Sequence, residues 1–242
     1  MYIDNLIIEV TRFCNMNCRH CLRGEKQRKK FDITMLDNIF ADVNRVGTIT
    51  FTGGEPLTQV NTIIEILEYI RNNDIELSSF YIVSNGTIYS KKLMNVLNDF
   101  YYNYIEEKEL CSFEISQDQF HCEKSYQREV NIWKYRELKE YGFDFIRIEE
   151  RKKIYSVILE GRAKQYFTQG RESKFYNGFY SENSDYYYDN KVYVAVNGNV
   201  ISECDLSYEN VDKYTFGNVK HETLKSIIEK NTKEEINAII LQ

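Results

Sequence analysis

Through the first 150 residues, short runs rich in Ile, Val, Leu and Phe alternate with longer stretches of helical period, and nothing else in the chain limits its fold as strongly. A strand that is one unbroken apolar run is buried on both faces, and a parallel sheet achieves that by sending each crossover through a helix. Repeated βα units follow. Strands are expected over 6–11, 48–52, 80–83, 110–115 and 143–148, with a sixth over 155–159. The clearest helical stripe between them is Leu57, Val60, Ile63, Ile64, Leu67 and Ile70.

In such sheets ligands gather at the carboxyl ends of the strands, where loops and helix N-termini converge. This chain places its unusual residues there. After the first strand come Cys14, Cys18 and Cys21, within eight residues. Thiolates are soft ligands, so three of them suit an iron-sulfur cluster, or zinc with His20 as a fourth ligand, better than a hard cation. Scattered cysteines are also often no more than small buried hydrophobes. On a cubane, three thiolates leave one iron open to an outside ligand. After the second strand, Gly53 and Gly54 allow close backbone approach, and Pro56, the only proline, fixes the turn beyond Glu55. Ser84, Asn85 and Thr87 follow the third strand, and Ser116 and Asp118 the fourth. Such side chains bind ligand oxygens or cap helices. His121 beside Phe120 moves protons or merely packs, and Arg162 offers either a bidentate carboxylate contact or a surface charge.

The cysteine spacing and the Gly53-Gly54-Glu55-Pro56 turn one strand later together resemble the radical S-adenosylmethionine (radical SAM) superfamily. The resemblance implies an α/β fold, a partial (β/α)6 TIM-like barrel with a small C-terminal β-hairpin plus helices. It implies one 4Fe-4S cluster on Cys14, Cys18 and Cys21, its open iron chelated by the methionine moiety of SAM. By the same resemblance His20 packs beside the adenine and Gly53, Gly54 and Glu55 meet the methionine amino group. Ser84, Asn85, Ser116, Asp118 and Arg162 then take the ribose and carboxylate oxygens. The implied activity is reductive cleavage of SAM to a 5′-deoxyadenosyl radical that abstracts hydrogen from a substrate.

Residues 1–165 are read as the barrel core and 166–242 as a lid loop and C-terminal extension. The lid covers about 165–190, a hairpin turns at Asn197-Gly198, and helices are expected over 223–230 and 233–241. This tail resembles a shortened SPASM tail of peptide-modifying radical SAM enzymes, which favours a peptide or protein substrate. Only Cys204 remains there, and one thiolate cannot hold a second cluster. Against that, Arg151, Lys152, Lys153, Arg162, Lys164 and Arg171 suit the phosphates of a nucleotide, as in a viperin-like enzyme. A non-catalytic iron-sulfur sensor or binding protein is a third reading. The basic segment 23–30 is either a solvated loop or the landing site of an acidic electron donor such as flavodoxin or ferredoxin. A net charge of -6 gives no general affinity for nucleic acid polymers. With no apolar run of membrane-spanning length and with cysteines spaced for a metal, the expected location is the cytoplasm, away from membranes.

Overall fold

The computed structural model of the protein describes residues 1–121, 125–148, 153–180, 187–233 and 238–241. The sheet grows outward from β1 (Tyr2–Thr11), whose last six residues are all buried. A short α1 (Leu36–Phe40) returns the chain to β2 (Arg45–Gly53), which pairs with β1 in parallel. The crossover repeats through α2 (Val60–Asn72), β3 (Glu76–Ser84), α3 (Lys91–Asn103), β4 (Ser112–Ile115), α4 (Tyr126–Glu140) and β5 (Ile146–Ile148). In α2 the residues Ile63, Ile64, Leu67 and Ile70 are buried, as their spacing requires. Ser90 and Ser125 start α3 and α4 by accepting the backbone N–H of Leu93 and Arg128. Alternation along β1 sends Leu6, Ile8 and Val10 into the core beneath the helices. Ile7 points to the opposite face, among Phe175, Tyr193 and Ala195.

Beyond α5 (Ala163–Tyr166) and β6 (Ser173–Tyr176), the structure departs from the sequence-based expectation in two places. Residues 155–159 form no strand and contribute only an isolated bridge between Ile158 and Arg171. The sixth parallel strand is β7 (Tyr187–Val194), and it lies against the free edge of β1 rather than beside β5. An apolar strand with an open edge needs a partner, and the fully buried Val192, Tyr193 and Val194 supply one. Tyr187 and Tyr188, expected in the lid, therefore open this strand. A turn at Gly198, with φ of 89°, leads antiparallel into β8 (Asn199–Ile201), as the Asn-Gly pair predicts.

The chain then runs through α6 (Tyr208–Lys213), β9 (Gly217–Asn218) and α7 (Leu224–Asn231), which starts at the capping residue Thr223. The second departure is at the end of the helix expected over 233–241. Residues 234–237 lie outside the described residues, and β10 (Ala238–Leu241) pairs antiparallel with β6. The run Ala-Ile-Ile-Leu is too short to set a helical period, and its two β-branched residues favour the strand.

A buried ion network joins the two ends of this architecture. Arg12, with no exposed surface, donates from Nε to Glu9 at 3.1 Å and from both terminal nitrogens to Asp212 on α6, each at 2.8 Å. Asp212→Ala would leave that guanidinium half answered. Because Asp212 is 38% exposed, the expected loss in a denaturant titration is about 2 kcal/mol, below the ~3–5 kcal/mol of a fully buried pair.

Candidate functional site

At the carboxyl ends of β1 to β4 lies a cavity of about 220 Å³. Cys14, Cys18, Cys21, His20, Gly53, Gly54, Glu55, Ser84, Asn85, Ser116 and Arg162 all line it. Asp118 stands behind the wall. The three cysteines are free thiols. Among the described residues, the His, Cys, Asp and Glu side chains that come within 4.8 Å of one another as ligands of one ion are His20, Asp118 and His121, and not the cysteines. Three soft thiols on one wall fit the three protein ligands of an iron-sulfur cluster with one open iron. Burial pushes the Cys14 thiol up from its ordinary range, against the opposing N–H of Met16 at 3.4 Å. Iron binding there must displace a proton.

The glycine turn touches the cysteine loop directly. Gly54 N donates to Thr11 O at 2.8 Å and Glu55 N to Phe13 O at 2.9 Å. A Cβ on Gly54 would sit 2.3 Å from Phe13 O and 2.9 Å from Cys14 N, both backbone atoms. The close approach that the sequence anticipates is therefore to the chain itself. Glu55, 2% exposed, turns inward and accepts from Leu57 N, Ser84 Oγ and Asn85 N at 2.8–3.1 Å. Burial raises its carboxyl, and those three donors oppose the shift.

The loop after β3 is held from both sides. Asn85 donates to Asn15 Oδ1 at 3.0 Å, and its own Oδ1 accepts from the Thr87 backbone. Arg128 of α4, buried and not anticipated from the sequence, donates to Asn85 O at 2.8 Å and to Ser116 O at 2.6 Å. It brackets the third and fourth strand ends. None of Ser84, Ser116 and Asp118 caps a helix, since Ser90 and Ser125 do so. Asp118 instead closes a local turn. Its Oδ1 accepts from Phe120 N at 2.8 Å, and its Oδ2 lies 2.8 Å from His121 Nδ1.

His20 stacks on Phe120 with centroids 4.2 Å apart, and its Nδ1 is buried with no partner. Burial, then the neighbouring His121, lowers its pKa to about 4. A neutral imidazole with an unanswered nitrogen is suited to accept from, or pack against, a ligand base. Arg162 is engaged within the protein. It donates from Nε to Glu25, from Nη1 to Cys18 O and from Nη2 to Gly24 O, at 3.0–3.1 Å, while its backbone N reaches Cys21 O. Gly161, at φ of 52°, packs against Leu22 and Gly24 so closely that no side chain fits. Arg12, Arg23, Lys26 and Tyr208 also line the cavity. The one sequence signal for the first was Glu9, an acid inside an apolar strand, which demands a buried partner. Nothing in the sequence marked Tyr208.

Residues 8–148 match the sequence profile of the Radical SAM superfamily. An uncharacterised protein of Methanocaldococcus jannaschii is 30% identical over 101 residues, covering 40% of this chain and 35% of its own length. The chain spans about a third of the length of the curated relatives it matches. Among solved structures, BtrN in complex with AdoMet and 2-DOIA gives a TM-score of 0.55 at 18% identity, covering 93% of this chain and 81% of its own. Native anSMEcpe with bound AdoMet and Cp18Cys peptide gives 0.58 at 15%, covering 96% and 81%. At these identities the likeness is one of fold.

Gly54→Ala should push the cysteine loop off the turn, and iron content after anaerobic reconstitution should fall several-fold while circular dichroism stays near that of the parent. A second outcome concerns pH. Burial opposes the charge on Asp118, but the His121 contact and the Phe120 N–H outweigh it and hold the carboxyl low. Its folded value lies below the unfolded one, so the contact stabilises fully above the ordinary carboxyl range and fades as pH falls through the folded value. The stability gap between the parent and Asp118→Asn should therefore narrow below about pH 4.

Proposed function

The chain belongs to the radical SAM superfamily, and from that premise we propose that it is a peptide- or protein-modifying member whose cofactors, a 4Fe-4S cluster and SAM, meet in the cavity at Cys14, Cys18 and Cys21. The observation that carries this reading is the convergence of three free thiols on one cavity wall, with the Gly53-Gly54-Glu55 turn locked against them. When bound, the cluster and SAM supply a 5′-deoxyadenosyl radical that takes hydrogen from a substrate carbon. The protein's part is to bind, orient and exclude water. With the N–H groups of Gly54 and Glu55 engaged by Thr11 and Phe13, this turn has carbonyl oxygens to offer an ammonium group. His20 offers a neutral face and an unanswered nitrogen to the adenine. Ser116 stands in the wall for the ribose. Ser84, Asn85, Asp118 and Arg162 hold the loops that present these groups.

Residues 1–165 carry the cofactors in this reading, and 166–242, a shortened SPASM-like extension, closes over the substrate. The peptide reading is supported by the hairpin and helix that follow β7, and by the fold likeness to a protein solved with a peptide bound. A nucleotide substrate finds less support, because Arg162 is occupied by Glu25. Arg151, Lys152 and Cys122 fall outside the described residues. Among the described residues no helix is long and apolar enough to cross a membrane, which accords with the proposed cytoplasmic site of action.

Anaerobic reconstitution should give about four irons per chain, and dithionite with SAM should release 5′-deoxyadenosine. Each of Cys14→Ala, Cys18→Ala and Cys21→Ala should abolish both. A cluster without 5′-deoxyadenosine would point to the sensor reading. Arg28, Lys29 and Lys30 are exposed beside the cysteine loop and suit an acidic donor such as flavodoxin or ferredoxin. Reversing all three charges should slow cluster reduction by that donor about tenfold or more, steeply dependent on ionic strength. Unchanged kinetics would refute the landing site.

A further inference from the structure

Four cations reach the cavity at the cysteines: Arg12, Arg23, Lys26 and Arg162. Arg12 is answered by Glu9 and Asp212, and Arg162 by Glu25. Neither Arg23 nor Lys26 is joined to a carboxylate by an ion pair among the described residues, and of these two only Arg23 also lines the adjoining chamber. The Arg23 Nη1 donates to Leu206 O at 2.9 Å and its guanidinium lies over the Tyr193 ring at 5.1 Å. A guanidinium is a planar fork of N–H donors matched to an oxyanion, and one bond to a backbone carbonyl leaves most of that fork unused.

Its place matters as much as its charge. Arg23, Gly24 and Tyr208 line both the cysteine cavity and an adjoining chamber of about 640 Å³. That chamber has an apolar wall at Ile239, Ile240 and Leu241 of β10. It also holds Glu25, Glu160 and Glu209 against Lys164 and Lys213, so a polyphosphate entering it would meet three carboxylates. A single carboxylate stopping at the doorway meets Arg23, with Lys26 beyond.

Building on the peptide reading above, we propose that Arg23 anchors an acidic side chain of the substrate, Asp or Glu, at the mouth between the two cavities, with the flanking peptide in the larger chamber. The side chain so held lies next to the place where the radical is generated. Arg23 thus selects which residue is presented.

The test uses the full chain, anaerobically reconstituted and loaded with SAM. Acetyl-Ala-Glu-Ala-amide and its Gln counterpart are titrated while the EPR spectrum of the reduced cluster is read. The acidic peptide should bind about tenfold more tightly, the scale of one charge-assisted contact. Arg23→Gln should erase the preference and Arg23→Lys keep part of it, with iron content confirming that each variant is loaded. Equal binding of the two peptides by the parent protein, or a preference that survives Arg23→Gln, overturns the assignment. The comparison in the parent needs no variant, so it stands even if Arg23→Gln fails to fold. ATP that perturbs the spectrum in an Arg23-dependent way, with no response to the acidic peptide, overturns it in favour of phosphate. If the parent releases no 5′-deoxyadenosine, the function proposed above fails instead, and the acidic preference is still read on its own.

Discussion

The structure depends on two stretches of backbone touching where side chains would ordinarily keep them apart. The end of β2 folds across the end of β1 so that Gly54 N meets Thr11 O and Glu55 N meets Phe13 O. A Cβ on Gly53 would lie 2.1 Å from Thr11 O. This contact fixes where the chain enters the cysteine loop, and every group around the cavity takes its position from that entry. Glu55, arriving at the same turn, becomes the post on which the loop after β3 is hung.

Much of the polar surface at the strand ends serves the protein before it serves any ligand. Asn85 reaches to Asn15, Arg128 to two backbone carbonyls and Arg162 to Cys18 and Gly24. Each bond closes one loop upon another. Such cross-bracing sets the geometry of the cavity before any ligand arrives.

The parallel core was legible because each of its signals is local. Apolar runs mark strands, a repeating stripe marks α2, and small or polar residues mark where a strand stops. Cys14, Cys18, Cys21 and the glycine turn stand out in the sequence for the same reason, and the fold carries these candidate residues to one cavity wall. What escaped were contacts across long separations. Nothing near 155–159 reveals that its place is taken by β7, because that choice is made by the open edge of β1. Arg12 and Asp212 meet 200 residues apart, and neither residue announces the other. The strand at 238–241 is not marked locally, because four apolar residues carry no period of their own.

The parallel pairing of β7 with β1 also sets a schedule for biogenesis. β1 leaves the ribosome well before β7, and one of its two edges stays unpaired until residue 194 has been made and laid alongside it. During that interval the apolar run Leu6-Ile7-Ile8 presents an open strand edge, the kind of surface that holdase chaperones exist to manage. The completion of β1 thus waits upon a strand that begins only at Tyr187.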